Sequence, residues 1–227
     1  MQVLTTIKMR EENIILHIIF GVLLCMVSCS TAAAQARYKG GSNVQLLYGS
    51  NFEPTGVDIT TLTLEHAGSV GFFEQFGFSD AYYEFGTEDV NLYIEWYPKI
   101  SLNRALGKEL KAGPLSDVLL GGGLNVLFGE GGDFLVYMAG PVWQFDIPGL
   151  NLLQLETYYY RQRDFGDNSF KGTYQITPTW DAVIPLSEQV KVRARGFVDF
   201  IGDRGPGKAQ IVAQPQLLLD LGNLWGK

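Results

Sequence analysis

An antiparallel β-barrel that crosses a membrane is the fold that this sequence predicts, and three observations indicate it. First, polar and apolar residues alternate with a period of two from Gly172 to Asp199, which gives each strand one wet and one apolar face. Second, about ten such strands can be identified after residue 42. Third, aromatic residues lie on the apolar faces, several near strand ends, where rings would sit at the headgroup level of a bilayer. They are Tyr48, Tyr83, Trp96, Tyr159, Tyr174 and Trp180.

The predicted strands follow one another and are separated by turn residues. They cover residues 43–49, 60–67, 76–85, 90–97, 118–128, 134–145, 152–162, 172–183, 190–200 and 209–221. The glycine-rich segment Gly129 to Asp133 predicts a hairpin turn between the fifth and sixth strands. Residues Pro98 to Pro114 are basic and contain several breakers, which predicts a loop.

The first 34 residues predict a cleavable secretory signal peptide. Lys8 and Arg10 precede an apolar run from Ile14 to Val27, and Ala32 to Ala34 form a small-residue cleavage site. The run is shorter than the ~20 residues that a transmembrane helix needs. Cleavage before Cys29, as in a lipoprotein, is the alternative. Residues 35–227 are therefore expected to form one exported β domain.

Composition excludes several classes of function. The formal net charge of -7 and the short basic row on the ninth strand argue against a nucleic-acid partner. Cys25 and Cys29 both lie in the predicted signal peptide, so the mature chain is expected to lack disulfides. The mature chain has one histidine, His66, which is predicted on the apolar face. We therefore expect no enzyme, no metal site and no cofactor. A weak calcium site at Asp164, Asp167 and Asn168 is the alternative for the long polar loop.

Carboxylates, tyrosines and arginines occupy the wet faces of the predicted strands. Across a narrow lumen such groups can pair, whereas in a soluble secreted β domain they would lie on a solvated surface. Targeting signals fit both structures, and the aromatic residues favour the membrane barrel. The thirteen candidates for a solute path through the lumen are Glu65, Asp80, Tyr82, Glu84, Tyr93, Glu95, Glu156, Tyr158, Tyr160, Asp181, Arg193, Arg195 and Asp199.

Several stretches of the mature chain resemble the nucleoside-specific channel family of outer-membrane proteins, Tsx and OmpK. They are Leu62 to Ala67 followed by Phe76 to Asp80, then Tyr93 to Leu102, and finally Gln214 to Gly222. Their order along the chain is also that of the family. The resemblance implies a monomeric twelve-stranded barrel in the outer membrane of a Gram-negative-type cell. It further implies passive, selective diffusion of nucleosides or similar small polar solutes, and external loops that bind phages or colicins.

The number of strands departs from this family pattern. Family members continue past the strand at Gln214 to Gln216 with two more strands, whereas ten are identified here. Ten is an even number and allows closure, and the alternative is a domain that lacks its last two strands. Three other functions stay open: a non-transporting structural or receptor barrel, a soluble secreted binding module, and a barrel enzyme that depends on His66.

Overall fold

The computed structural model describes residues 38–52, 56–87, 89–129, 132–165 and 170–224, and most of these residues are in β-strands. The strands are β1 (Lys39–Phe52), β2 (Val57–Val70), β3 (Phe73–Glu84), β4 (Val90–Ser101), β5 (Leu115–Phe128), β6 (Phe134–Phe145), β7 (Leu152–Asp164), β8 (Thr173–Pro185), β9 (Lys191–Ile201), β10 (Gln210–Ala213) and β11 (Gln216–Leu219). Two short helices, α1 (Leu102–Leu106) and α2 (Leu221–Leu224), complete the elements of the described residues. Neither helix in this part of the chain is long and apolar enough to cross a membrane.

The strands form one antiparallel sheet in which sequence neighbours are spatial neighbours from β1 to β10. β10 and β11 both pair with β9, at successive positions along it, so they act as one strand interrupted at Gln214 and Pro215. Pro215 has no N–H group to donate to a ladder. The result is ten antiparallel strand positions that curl into a half-barrel. Residues Gly40–Lys227 hold nearly all of this sheet as one compact unit.

The predicted all-β antiparallel fold is confirmed. Nine predicted strands each correspond to one observed strand, whereas the tenth, 209–221, is divided into β10 and β11 and its last residue begins α2. The predicted loop from Pro98 to Pro114 is wrong at its start, because β4 continues through Pro98 to Ser101 and α1 follows directly. Pro98 pairs opposite Gln75 of β3, while the ladder to β5 has a gap between Trp96 and Lys99. The proline therefore weakens pairing on one side only and does not end the strand.

The two faces of the sheet differ in polarity. Large apolar side chains are exposed on the convex outer face: Val44, Leu46, Tyr48, Leu62, Leu64, Val90, Ile100, Leu120, Tyr137, Tyr159, Tyr174, Ile176, Phe200, Ile211 and Leu217. Polar side chains are buried on the concave inner face: Thr63, Asn91, Lys99, Ser101, Asp117, Asn125, Gln154, Glu156, Gln175 and Thr177. Gln75 is a buried polar residue on the outer face, where it accepts a hydrogen bond from Trp96 Nε1 at 3.2 Å.

A small apolar cluster also packs on the inner face, chiefly over β5, β6 and β7. Its members are Leu119, Val136, Met138, Val142, Tyr158, Tyr160 and Ile201. Glycines in β5 make room for it, since a Cβ on Gly121 would lie 2.7 Å from the Tyr158 hydroxyl and one on Gly123 would lie 2.7 Å from Met138 Cε. This part of the inner face, the glycine-lined wall, is therefore covered by side chains from neighbouring strands.

Candidate functional site

The pairing register places all thirteen candidate lumen residues on the inner face. Asp80 stands opposite Tyr93, and Asp181 stands opposite Arg195, so the alternation of each strand continues into the next. They do not form a single cluster. The structure separates them into four sets: a central carboxylate group, ion pairs that join β2, β8 and β9, a buried group on β7, and residues toward one end of the sheet.

Glu95 is the centre of the first group. Its carboxylate accepts hydrogen bonds from the Tyr97 hydroxyl at 2.9 Å, from Asn125 Nδ2 at 2.8 Å and from the Tyr93 hydroxyl. All three donors are uncharged. Unlike the carboxylate of an ion pair, Glu95 is therefore held by neutral hydroxyl and amide groups.

Asp80 and Asp199 have environments of the same kind. The Thr63 hydroxyl donates to Asp80 at 2.5 Å, and the Thr177 hydroxyl donates to Asp199 at 2.6 Å. Gln175 Nε2 adds a bond to Asp199 at 3.2 Å. The inner face therefore presents several carboxylates whose recorded partners are neutral donors.

Aromatic rings surround this group on β3, β4 and β6. The Phe76 and Tyr97 ring centroids lie 6.5 Å apart and the planes are nearly parallel. Phe78 and Tyr93 lie 6.1 Å apart, and Tyr93 and Phe134 lie 6.3 Å apart. Phe76 and Phe78 were missed as candidates because they are apolar, although they continue the alternation that begins at Asp80. Parity was the signal that could have found them.

The ion pairs of β8 and β9 form the second group. Arg193 binds Asp181 through Nε at 2.8 Å and Nη2 at 2.6 Å, which is a bidentate pair. Arg195 Nη2 lies 3.3 Å from the Glu65 carboxylate on β2. Arg195 also donates to Gln216 at 2.7 Å. Glu65 accepts from Asn43 of β1, so side chains connect both edge regions of the sheet.

Glu156 and Tyr158 belong to the buried group on β7. Lys99 Nζ donates to Glu156 Oε1 at 2.6 Å and to Gln154 Oε1 at 2.7 Å, and both charged side chains are 9% exposed. Tyr158 is 2% exposed. Lys99 was missed because it was placed in the predicted loop, yet it continues the alternation of Tyr93, Glu95 and Tyr97. The hydrogen bonds from Lys99 to Gln154 and Glu156 therefore link β4 to β7 across the glycine-lined wall.

The other candidates lie toward the end of the sheet where β7 ends and β8 begins. Asn91 Nδ2 donates to Glu84 at 3.3 Å. Tyr160 is buried, and the guanidinium of Arg204 lies over its ring. Tyr82 alternates with Asp80 and Glu84 on β3. Arg204 is a charged residue that sequence reasoning missed, because a loop has no alternation from which its direction can be inferred.

His66 lies on the outer face, where Ser42 Oγ is 2.7 Å from its Nδ1. Within the described residues, no group of three or more His, Cys, Asp or Glu side chains could hold a metal ion. The signal peptide predicted at 1–34, Asp167 and Asn168 all lie outside the described residues.

No protein-family model matches this chain, and no curated protein matches it.

Proposed function

We propose that this chain is an outer-membrane β-barrel channel, exported by a signal peptide, that lets nucleosides or similar small polar solutes diffuse passively through its lumen. One observation carries the proposal: apolar side chains are exposed on the outer face while charged and amide side chains are buried on the inner face. In water the exposed apolar face would be costly, whereas lipid would cover it. A closed barrel is the sheet structure that satisfies its backbone groups in lipid.

The chemistry of the inner face supports a small, hydroxyl-rich and planar solute. Glu95 and Asp199 are held by neutral donors and can accept hydrogen bonds from sugar hydroxyls. The rings of Phe76, Phe78 and Tyr93 offer faces for stacking with a base. Contacts in a channel must be weak and repeated so that the solute can leave. The resemblance to the Tsx and OmpK family supports nucleosides in particular.

Spanning a membrane also requires partners for the edge strands. The proposal therefore includes pairing of β1 and of the interrupted β10–β11 strand within the bilayer, either with each other or with two further strands. The side-chain path from Gln216 through Arg195 and Glu65 to Asn43 already joins these two edge regions on the inner face.

A non-transporting structural or receptor barrel is the second candidate function. The packed cluster on β5 to β7 and the buried Lys99–Glu156 pair favour it, because they occupy part of the inner face. A pathway for solutes must then run along the other strands. Measured solute flux decides between the two candidates.

Membrane placement is tested by putting a charge on the outer face. Leu120 is 56% exposed near the middle of β5 and faces outward. In lipid, Leu120→Arg is expected to reduce the free energy of unfolding by about 2–4 kcal/mol, because the charge enters hydrocarbon. Leu106→Arg, at a 58% exposed leucine in α1, is the matched control with little expected effect. The free energy of unfolding is measured by urea titration in lipid vesicles. Small and equal changes for Leu120→Arg and Leu106→Arg would contradict membrane placement.

Transport is tested with the mature protein reconstituted in liposomes. We expect saturable uptake of radiolabelled uridine in preference to a sugar of similar size, since only the nucleoside offers a planar base to stack on aromatic side chains. Glu95→Gln is expected to lower this uptake by about tenfold, corresponding to the loss of one charge-assisted hydrogen bond of ~1.4 kcal/mol. Glu109→Gln removes an exposed carboxylate outside the strands and is the control. Folded protein in the vesicles with no uptake of either solute would favour the structural barrel.

A further inference from the structure

The sheet ends at two edge strands, β1 on one side and the interrupted strand β10–β11 on the other. In the strand order of the described residues, β1 pairs with β2, and β10 and β11 pair with β9. Each edge strand therefore has one row of backbone N–H and C=O groups without a strand partner in this part of the chain. In lipid such a row is costly, because hydrocarbon offers no hydrogen bonds.

An ion pair shows how close the two edges lie. Glu65 belongs to β2 and Arg195 to β9, so each residue is one strand away from an edge. Arg195 Nη2 lies 3.3 Å from Glu65 Oε2. An extended arginine and glutamate in such a contact span at most about 15 Å between their Cα atoms, since each bond is roughly 1.5 Å long. The backbones of β2 and β9 are therefore no farther apart than this at the level of the ion pair.

This distance has room for two strands between β2 and β9, and not for four. Neighbouring strands lie about 4.8 Å apart, so β1 and β10–β11 side by side would place β2 and β9 three spacings apart, or about 14 Å. With two further strands the separation becomes five spacings, about 24 Å along the wall and roughly 20 Å straight across a twelve-stranded barrel. An arginine and a glutamate cannot meet over that distance.

The direction and the faces of the two edge strands also match. The ten strand positions alternate in direction, so β1 and β10–β11 run in opposite directions, as an antiparallel ladder requires. Leu46 of β1 and Ile211 of β10 are both exposed on the outer face. A ladder between these strands would therefore continue the apolar outer face without a break.

Two hydrogen bonds on the inner face give the register. Asn43 Nδ2 of β1 donates to Glu65 Oε1 at 2.7 Å, and Arg195 Nε donates to Gln216 Oε1 of β11 at 2.7 Å. Asn43 and Gln216 therefore bind the two partners of the same ion pair, one from each edge strand. This places them at the same level of the barrel.

We propose that β1 pairs directly with β10–β11 in the membrane and closes a ten-stranded barrel along this seam. Asn43 then lies beside Gln216. Three residues further along β1, Leu46 stands opposite Ala213, and both side chains face outward. The inference rests on the proposed membrane placement. Because the diameter of a barrel increases roughly linearly with the number of strands, the lumen is narrower than that of the twelve-stranded family that the sequence resembles.

Disulfide crosslinking tests the seam, because the mature chain that follows the predicted signal peptide contains no cysteine. Three double variants combine Ala213→Cys with Val44→Cys, Leu46→Cys or Tyr48→Cys, which covers the proposed register and the next outward-facing position on either side. Ala213→Cys with Leu120→Cys is the matched control, since Leu120 is also exposed on the outer face but lies on β5. The folded proteins are oxidised with copper phenanthroline in lipid vesicles and compared by non-reducing gel electrophoresis, with and without heating.

We expect the Leu46 pair to form roughly tenfold more intramolecular disulfide than the Leu120 control, because directly opposed Cα atoms lie within the ~4.4–6.8 Å that a disulfide requires. A disulfide confined to the Val44 or Tyr48 pair would overturn the register and support the direct pairing. No disulfide in any of the three pairs, in protein whose migration is heat-modifiable, would overturn the seam. Disulfide-linked dimers would also overturn it, since the edges would then pair with a second copy.

Uridine uptake by the same vesicles separates this inference from the channel proposal. A disulfide across the seam without uptake would contradict the channel and support the closed barrel. Uptake without a disulfide would support the channel and contradict the direct pairing of β1 with β10–β11. Wild-type protein that does not insert into the vesicles would contradict membrane placement and the seam together.

Discussion

The inner face has two regions that use charged residues in different ways. Over β4 to β7, Lys99 and Glu156 form a pair whose side chains are 9% exposed, beside the fully buried Leu119 and Val142. On β9, the Arg193 side chain is 48% exposed in its pair with Asp181. The sequence pattern of the two regions is the same alternation of polar and apolar residues.

The difference comes from what lies between the charged residues. Lys99 and Glu156 are separated by β5 and β6, whose inner positions include Gly121, Gly123 and Gly140. Without side chains on that wall, groups from β4 and β7 meet above it and exclude water. The Arg193 side chain is not enclosed in this way and stays exposed to solvent. The comparison indicates that the first region stabilises the fold, while the Arg193 side chain of the second is in contact with solvent.

The largest effect is expected when the buried pair loses one partner. Lys99→Met should reduce the free energy of unfolding by about 3–5 kcal/mol, because Glu156 would keep a buried charge without a cation. Arg193→Met, in the exposed pair, should cost less than about 1 kcal/mol. Urea titration followed by tryptophan fluorescence measures both in the same detergent or lipid.

A double variant sharpens this prediction. Lys99→Met combined with Glu156→Leu should recover most of the loss, because replacing both partners by apolar groups of similar size is often neutral. Similar costs for Lys99→Met and Arg193→Met would show that the two regions are not different in the way proposed.

A smaller effect is expected from adding a methyl group to the glycine-lined wall. A Cβ at Gly140 would lie 2.1 Å from the Thr157 carbonyl oxygen, so Gly140→Ala should reduce the free energy of unfolding by about 1–3 kcal/mol. Gly122→Ala is the matched control, because a Cβ there would meet its nearest atoms at 3.6 Å. The same titration measures both variants, and equal stability would mean that the wall has room for side chains.

Strand positions and face assignments were predicted well because alternation is a local property. The register places Glu65, Asp80, Glu95 and Asp199 on one face of the sheet. The errors have local causes too. Pro98 suggested a loop, although its missing N–H affects only the ladder toward β5. Lys99 was not predicted as an inner-face residue because it fell in that loop. Phe76 and Phe78 were not selected because candidates were chosen by polarity and not by their position in the alternation.

By itself the sequence determined that the chain is an all-β antiparallel protein and which residues of each strand share a face, because a period of two is set by the backbone of each strand alone. The tertiary structure decided which of those residues meet. Pairs such as Lys99 with Glu156 and Arg195 with Glu65 depend on the curvature of the sheet and on glycines in strands between them. The position of Arg204 depends on two loops whose direction no periodic pattern encodes.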